Sequence, residues 1–259
     1  MASKKVLITG AAGAIGQQLA KRFLQKKWQV LLLDKDEKEL KALKSGFGTN
    51  CQDKCQIFHC DLESEQERSN VLEKLKANTG VLDCLINNAA YVGTSDLQGW
   101  NCAFEGQSLD TWRRAIEVNL TAPFHLIRDL AGCLKKSDDG NVVNITSIYA
   151  HVAPDWRMYE NLDGFGNPAA YSASKGGLIQ LTKWASTTLA PEVRVNAVSP
   201  GGLFRNQPEI FVQRYEQKTP LKRMADVDDV VNAVLFLSSK SARYITGQSL
   251  IVDGGYSVW

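Results

Sequence analysis

Apolar residues along this chain fall into short continuous runs separated by segments of helical spacing. Seven runs are rich in valine, isoleucine and leucine: KKVLIT, WQVLLLD, CQIFHCD, VLDCLIN, NVVNITS, VRVNAVS and QSLIVDGG. Runs that are apolar at nearly every position are typical of strands covered on both faces of a sheet. These seven segments are therefore the predicted strands.

Between the runs, apolar residues recur at intervals of three and four, which predicts helices. The predicted helices cover 15–27, 65–77, 108–116, 173–189 and 226–238, and one more follows Pro123. Regular alternation of strand and helix favours parallel strands joined by right-handed crossovers. The pattern predicts an α/β fold: a Rossmann-type, doubly wound parallel sheet of about seven strands with helices on both faces.

Length and composition add few constraints beyond a single globular domain. The chain has 259 residues, of which 44% are apolar and 22% charged, and no linker or repeat divides it. We therefore predict one domain over 1–259. No segment approaches the length of a membrane span and no leader pattern precedes the first strand, so a cytoplasmic protein is expected.

The distribution of charge and of cysteine excludes several function classes. Net charge is +2 with basic and acidic residues interspersed, so neither a nucleic-acid partner nor a membrane partner is predicted. The six cysteines show no C-x-x-C spacing. Reduced thiols and no metal site are the expectation.

Glycines mark the junction of the first strand and first helix, at Gly10, Gly13 and Gly16 of VLITGAAGAIG. A tight turn and the close approach of a pyrophosphate both require residues without Cβ, and the helix N-terminus supplies amides for the negative charge. Asp34 ends the second strand, where a carboxylate binds the adenosine ribose hydroxyls of NAD and repels a 2′-phosphate. The following Lys35 is able to neutralise such a phosphate, but the glycine loop holds no basic residue. The pattern favours NAD over NADP.

The segment YSASK places Tyr171 four residues before Lys175 at the start of a predicted helix, so both side chains lie on one helix face. A phenol has a reference pKa of about 10. A neighbouring ammonium group favours the phenolate and lowers that pKa. The pair is common on helix surfaces, and its meaning depends on the other motifs of the chain.

Those other motifs, in their order, resemble the short-chain dehydrogenase/reductase family. They are TGAAGAIG, CDL, NNAA, VNL, NITS, YSASK, NAVSPG and ITGQSLIVDGG, and they span nearly the whole chain. Each motif is short, but the complete series is specific. The resemblance implies a single-domain oxidoreductase that acts on CH–OH groups with a nicotinamide cofactor.

The resemblance also implies a catalytic tetrad of Asn119, Ser147, Tyr171 and Lys175. Tyr171 would exchange a proton with the substrate oxygen, and Ser147 would hydrogen-bond the same oxygen. Lys175 would bind the nicotinamide ribose and lower the Tyr171 pKa, while Asn119 would hold a water of the proton relay at a break between two helices. The implied cofactor contacts are Gly10, Ala12, Gly13, Ala14, Ile15, Gly16, Asp34, Lys35, Asp61, Leu62, Asn88, Ala89, Ala90, Tyr171, Lys175, Pro200, Gly201, Gly202 and Leu203.

Some positions depart from the common pattern of the family. The glycine usual at Ala14 is carried instead by Gly13, a spacing closer to the extended members, which are often sugar-nucleotide epimerases. Arg205 stands near the place where many members have a threonine that bonds the nicotinamide carboxamide. We expect backbone groups around Gly202 and Leu203 to make that contact.

Three segments are predicted as substrate loops: 91–108, 148–168 and 202–222. The first two follow carboxyl ends of parallel strands, the edge where such sheets bind ligands, and they combine aromatic with charged residues. Such a mixture suits a polar, ring-containing substrate. The candidate substrate contacts are Ser147, Trp156, Arg157, Tyr159 and Arg205, with Arg157 or Arg205 available for an anion. The alternative is that the loops form subunit contacts.

The insert SIYAHVAPDWRMYE resembles a bacterial subgroup of the family associated with surface-carbohydrate pathways. We therefore expect an NAD(H)-dependent enzyme that interconverts a secondary alcohol and a ketone on a carbohydrate-like small molecule. Family members commonly form tetramers, so a homo-oligomer, tetramer or dimer, is expected. Two alternatives stay open: a non-redox sugar epimerase or isomerase using bound NAD, and a dinucleotide-sensing module without turnover.

Overall fold

A computed structural model describes residues 3–93, 95–162 and 166–259, so parts of the predicted loops 91–108 and 148–168 lie outside the described residues. Its centre is one seven-stranded sheet, parallel throughout, in the order β3-β2-β1-β4-β5-β6-β7. The strands are β1 Lys5–Thr9, β2 Gln29–Asp34, β3 Cys55–His59, β4 Cys84–Asn87, β5 Gly140–Ile145, β6 Val193–Pro200 and β7 Ser249–Val252. Each strand falls on a predicted run, which confirms the fold class.

The helices flank this sheet. They are α1 Ala14–Gln25, α2 Glu37–Gly46, α3 Thr49–Gln52, α4 Glu65–Thr79, α5 Leu109–Ile116, α6 Ala122–Leu134, α7 Ala169–Thr188, α8 Glu209–Lys218 and α9 Val227–Leu237. Periodicity missed α2, α3 and α8. In α2 only Leu40 is buried, and the helix begins instead on the side chain of Asp36, which accepts from the Glu39 amide.

Residues Glu117–Thr121 form a π-helical turn that joins α5 to α6. The sequence predicted a break at this place, and the structure corrects that prediction, because the helical path continues through the turn. The wider turn buries Val118 and Asn119 at adjacent positions. Such π turns inside α-helices occur frequently at functional sites.

Two apolar clusters cover the two faces of the sheet. In β1, Val6 and Ile8 pack on one face with residues of α1 and α9, and Leu7 packs on the other with residues of α4, α6 and α7. Alternate side chains of a strand point to opposite faces, so both clusters draw on the same strands. Burial on both faces explains why the runs lack polar alternation.

The order of strands reverses between β1 and β4, which are neighbours in the sheet although two strands separate them along the chain. In open parallel sheets a crevice forms outside the carboxyl ends of the strands at such a point. Among the described helices none is long and apolar enough to cross a bilayer. The described residues also contain no cluster of three or more His, Cys, Asp or Glu side chains suited to a metal ion.

Candidate active site

A groove of about 450 Å³ lies along the carboxyl edge of the sheet and crosses the β1–β4 crevice. Its walls come from the loops that follow β1, β2, β3, β4, β5 and β6. The residues proposed from sequence that line it are Gly10, Gly13, Ala14, Ile15, Asp34, Lys35, Asp61, Leu62, Asn88, Ala89, Ala90, Ser147, Tyr171, Lys175, Pro200, Gly201, Leu203 and Arg205. Most of the expected cofactor set is therefore brought together in one place.

The three glycines of the first loop differ in the contacts that a Cβ would make at each position. A Cβ on Gly10 would lie 2.7 Å from the Ala89 Cα, and one on Gly16 would lie 2.3 Å from the Gly10 oxygen. Protein packing alone therefore excludes side chains at these two positions. A Cβ on Gly13 would meet only the Gly10 oxygen, at 3.4 Å, and would otherwise project into open space. The groove beside Gly13 is thus a cradle next to the first amides of α1, suited to an anion.

The Asp34 carboxylate is held at the end of this groove by backbone amides. Its Oδ2 accepts from the Ala12 amide at 2.9 Å and its Oδ1 accepts from the Asp36 amide at 3.1 Å. Ala12 therefore supports Asp34 and does not line the groove. The fixed carboxylate keeps negative charge where an adenosine ribose is expected.

Asn88 acts as a brace between β1 and β4. Its Nδ2 donates to the carbonyl oxygens of Thr9 and Gly10, both at 3.0 Å. The Thr9 hydroxyl in turn accepts from the amides of Asn88 and Ala89, at 3.0 and 3.1 Å. Sequence reasoning had placed the Asn88 side chain beside the cofactor, whereas its amide group is committed to the chain itself. Thr9 was missed, although it directly precedes Gly10 in the motif.

Asn119 is fully buried and its side chain holds the backbone of the loop that follows β4. Its Oδ1 accepts from the Tyr91 amide at 2.8 Å, and its Nδ2 donates to the Tyr91 carbonyl at 3.0 Å and to the Ser174 hydroxyl at 3.1 Å. A side chain used in this way has no donor left for a water. A relay water at Asn119 would have to donate to Oδ1, which keeps one lone pair, or bond the backbone.

Ser147 and Tyr171 face each other across the floor of the groove. Ser147 follows β5, and its Oγ accepts from the Tyr149 amide at 3.2 Å, which caps a short 3₁₀ turn. Both side chains line the groove and the small cavity. Burial raises the pKa of Tyr171, while the Ser147 side chain and the positive charge of Arg205 act in the opposite direction.

Lys175 lies one turn along α7 from Tyr171, and its side chain is 2% exposed. Its Nζ donates to the Ile145 carbonyl at 2.7 Å and lies 5.9 Å from the centre of the Tyr171 ring. Burial lowers the pKa of Lys175 to about 7. The lowering of the Tyr171 pKa by Lys175 stays a prediction, whereas Ser147 and Arg205 lower that pKa in this structure.

A smaller cavity of about 160 Å³ opens from the groove beside Tyr171 and shares Ser147, Tyr171 and Arg205 with it. Its wall is largely aromatic, and Asn167, Gln207 and Arg205 also line it, although the Gln207 amide bonds the backbone of Leu203 and Arg205. The lining residues that sequence reasoning did not single out include Tyr149, Asn167, Gln207, Phe211, Tyr215 and Met224. Phe211 and Tyr215 belong to α8, so the predicted loop 202–222 contains a helix that forms one wall of the site.

Some of the predicted substrate contacts line a cavity beside the groove and one does not. Tyr159 and Arg205 line the small cavity, and Trp156 lines a neighbouring cavity of about 330 Å³. Arg157 lines none of these cavities. Its guanidinium bonds both oxygens of Asp155, each at 2.8 Å, and its side chain is 82% exposed, because Asp155 caps the same 3₁₀ turn and draws it outward. The structure corrects the placement of Arg157 in the site.

Gly202 also lies elsewhere than expected. Its amide donates to the Tyr215 hydroxyl at 2.6 Å, so that group cannot bond a carboxamide in the groove. Gly202 lines the small cavity, whereas Leu203 lines both the cavity and the groove. The carboxamide contact expected around these two residues is therefore left to Leu203 and its neighbours.

The segment 148–168 packs against α8 of the same chain through its described residues. The Lys218 ammonium lies 2.9 Å from an Asp155 oxygen, and Arg214 donates to the Glu160 carbonyl at 2.7 Å. Arg157 and Lys218 hold the pKa of Asp155 well below its usual range. Ionic contacts thus position the loop beside the small cavity.

Sequence reasoning also missed several residues that line the groove. They are Leu33, Cys60, Tyr91, Val92, Val118, Ile145 and Thr146. Five of them lie directly beside a predicted site residue, and Cys60, Ile145 and Thr146 lie at the last position of a strand or the first position after it. The rule that ligands bind at carboxyl ends of parallel strands would have found them.

The geometry can be compared with known proteins. A family profile described as Enoyl-(Acyl carrier protein) reductase matches residues 10–257. The chain is 34% identical to a 3-oxoacyl-(acyl-carrier-protein) reductase of Rickettsia prowazekii, covering 98% of this chain and 97% of that one. A short-chain dehydrogenase of Leptospira borgpetersenii, solved with bound NAD+, is 31% identical with a TM-score of 0.85, over 98% and 93% of the two chains. An NAD+-bound xylitol dehydrogenase is 26% identical with a TM-score of 0.83, over 97% and 98%.

Proposed function

We propose that this chain, which belongs to the short-chain dehydrogenase/reductase family and is an oxidoreductase, interconverts a secondary alcohol and a ketone with NAD(H). The observation that carries the proposal is the position of two hydroxyl-bearing side chains, Ser147 and Tyr171, which both line the groove and the small cavity. A dinucleotide in the groove and a substrate in the cavity would meet at these hydroxyls.

The residues of the groove fit a dinucleotide that lacks a 2′-phosphate. The cradle at Gly13 and the first amides of α1 would hold a pyrophosphate, and the Asp34 carboxylate would accept hydrogen bonds from the adenosine ribose. When bound, NAD supplies the hydride acceptor at its nicotinamide ring. The solved relatives that contain NAD+ support this choice.

The protein's part in the reaction is to orient the carbinol and to move one proton. Ser147 would hold the substrate oxygen, and Tyr171 would take its proton during oxidation or return it during reduction. Lys175 would bind a ribose hydroxyl, because its amine lies on the same helix face and reaches the end of β5. Ser147 and Lys175 are buried and Tyr171 is partly buried, which limits the access of bulk water to the reacting atoms.

The small cavity supports a compact, polar substrate. Its volume of about 160 Å³ is small for a ligand site, and side-chain amides of Asn167 and Gln207 line it with the Arg205 guanidinium. Hydroxyl groups and a single anion match this lining. We therefore propose a carbohydrate-like polyol or hydroxy acid, which agrees with the similarity to a xylitol dehydrogenase.

A homo-oligomer, tetramer or dimer, is proposed on the basis of exposed apolar side chains. Leu109 on α5, Phe124 on α6 and Trp184 on α7 are 70%, 41% and 58% exposed in the single chain. Patches of this kind frequently mark protein interfaces. The cytoplasmic location stays a prediction.

The test is a screen of polyols, sugars and hydroxy acids with NAD, in which absorbance reports NADH, followed by Tyr171→Phe. We expect the variant to lose turnover by about 100-fold or more, while its Kd for NADH stays within about twofold of the parent. Tyr244→Phe is the control, because Tyr244 is fully exposed. Unchanged turnover in Tyr171→Phe would refute the assignment of the base, and product without NADH accumulation would support the isomerase alternative.

A further inference from the structure

The lysine that follows the ribose carboxylate points toward an aromatic ring on the other side of the adenosine end of the groove. The Lys35 ammonium lies 5.2 Å from the centre of the Tyr91 ring, a distance suited to a cation–π contact. Lys35 follows β2 and Tyr91 follows β4, and both residues line the groove. The contact therefore joins the two edges of the groove at the end marked by Asp34.

Tyr91 is itself held by a carboxylate. Its hydroxyl donates to Glu63 Oε2 at 2.7 Å, and Arg114 bonds both oxygens of Glu63, at 2.7 and 3.2 Å. The Arg114 guanidinium, together with the Tyr91 hydroxyl and the Lys35 charge, lowers the pKa of Glu63, so this carboxylate stays negative. Burial and Glu63 raise the pKa of Tyr91 to about 12, so the phenol stays neutral and keeps donating.

Ionised Glu63 offsets the charge of Arg114, whose guanidinium also lies 5.8 Å from the centre of the Tyr91 ring, and so leaves that ring attractive to the Lys35 ammonium. A lysine is a mobile point charge on a flexible stem, so its resting position depends on the strongest nearby attraction. With the ammonium held at Tyr91, the positive charge of Lys35 offsets less of the negative charge that Asp34 places in the groove. A 2′-phosphate beside Asp34 would then face an anion without a matched cation.

We propose that Tyr91 and Glu63 determine dinucleotide selectivity by withdrawing Lys35 from the 2′ position of the adenosine ribose. This inference rests on the proposed function, since it concerns which dinucleotide the groove accepts. It assigns roles to Tyr91, which contacts the lysine, and to Glu63, which accepts the hydrogen bond from the Tyr91 hydroxyl. Arg114 is a positioning residue, because it holds Glu63 ionised and in place.

The test measures dinucleotide binding and not turnover. NADH and NADPH are titrated into the whole protein, with quenching of tryptophan fluorescence as the signal, and the ratio of their Kd values is compared among variants. Glu63→Gln removes the charge that attracts Lys35. We expect this variant to improve NADPH binding relative to NADH by about threefold to tenfold.

A double-mutant cycle separates this mechanism from a general gain of positive potential. In a Lys35→Met background, Glu63→Gln should leave the Kd ratio unchanged, because no lysine is left to release. Glu73→Gln, an exposed change of the same charge about two turns into α4, should leave it unchanged in either background. Tyr91→Leu removes the ring that the Lys35 ammonium contacts, and it replaces Glu63→Gln if that variant does not fold.

The outcomes distinguish a failure of the proposed function from a failure of the proposed role of Tyr91 and Glu63. If the unmutated protein binds neither dinucleotide, the proposed function fails and this inference falls with it. If NADH binds tightly and the Kd ratio in Glu63→Gln equals that of the parent, only this inference is overturned. A gain in NADPH binding that persists in the Lys35→Met background would likewise overturn it, since Lys35 would not be the group released.

Discussion

Replacement of Asn119 by alanine tests whether this side chain is a structural element or a ligand for a catalytic water. The side chain makes three buried hydrogen bonds, two with the Tyr91 backbone and one with Ser174. Asn119→Ala removes all three. The Ser174 hydroxyl keeps a partner, because it donates to the Tyr171 carbonyl at 2.8 Å, so the loss falls on the amide and carbonyl of Tyr91.

The size of the effect follows from those two backbone groups. A buried donor or acceptor left without a partner costs about 1–3 kcal/mol. Two such groups give a loss of about 2–6 kcal/mol in the free energy of unfolding. For a chain of this length that loss corresponds to a fall in Tm on the order of 10 °C.

The measurement is a urea titration followed by circular dichroism, with the NADH Kd measured on the same preparations. Stability and NADH affinity should fall together, since Tyr91 lines the groove. Asn70→Ala is the control, because Asn70 is exposed on α4 and such a change typically costs within about 0.5 kcal/mol. The reasoning would be refuted by an Asn119→Ala protein with the parent unfolding free energy and greatly reduced turnover. That result would assign the side chain to the proton relay.

The remaining predictions concern titrating groups. Arg205→Met should raise the Tyr171 pKa, because the guanidinium lowers it. The rising limb of the pH profile of kcat/KM for alcohol oxidation should then move to higher pH. Arg157→Met should leave that limb in place, and equal shifts in both variants would contradict the placement of these arginines. Lys175 has a folded pKa of about 7 against an ordinary value of 10.5, so the unfolded chain binds the extra proton between these values and stability should rise with pH across this window. The free energy of unfolding should rise by an amount on the order of 4 kcal/mol, and urea titrations of Lys175→Met at several pH values should show no such rise. If the free energy of unfolding depends on pH identically in both proteins, the lysine is not buried as described. Among the thiols, Cys102 is exposed, so a thiol reagent should label it first in the native protein, and faster labelling at a different cysteine would argue against this burial pattern.

Much of the fold could be predicted from local pattern. The seven apolar runs became the seven strands because a strand buried on both faces is apolar at nearly every position, and this property can be read from neighbouring residues. The glycine loop and Asp34 were also found in advance, because a turn and a strand end place them regardless of distant contacts. By contrast, α2 and α8 were missed, since each is short and buries few apolar residues.

The roles of individual side chains depended on partners far away in the chain. Asn119 bonds a residue 28 positions earlier, and Arg157 turns outward because Asp155, also bound by the distant Lys218, holds it there. The pKa values of Tyr171 and Lys175 follow from burial, and that of Tyr171 also from the approach of Arg205, neither of which periodicity records.

The sequence by itself therefore determined the class of fold, the place of the groove and the identity of the residues proposed for proton transfer. The fold and the groove follow from short-range chemistry, namely apolar period and glycine at a turn, whereas the residues for proton transfer follow from the resemblance of the ordered motifs to the family. Only the tertiary structure decided which side chains face the groove, which are used as braces, and where Lys35 rests beside Tyr91. Hydrogen bonds and charges act over a few ångströms in space, and residues that close in space are frequently distant along the chain.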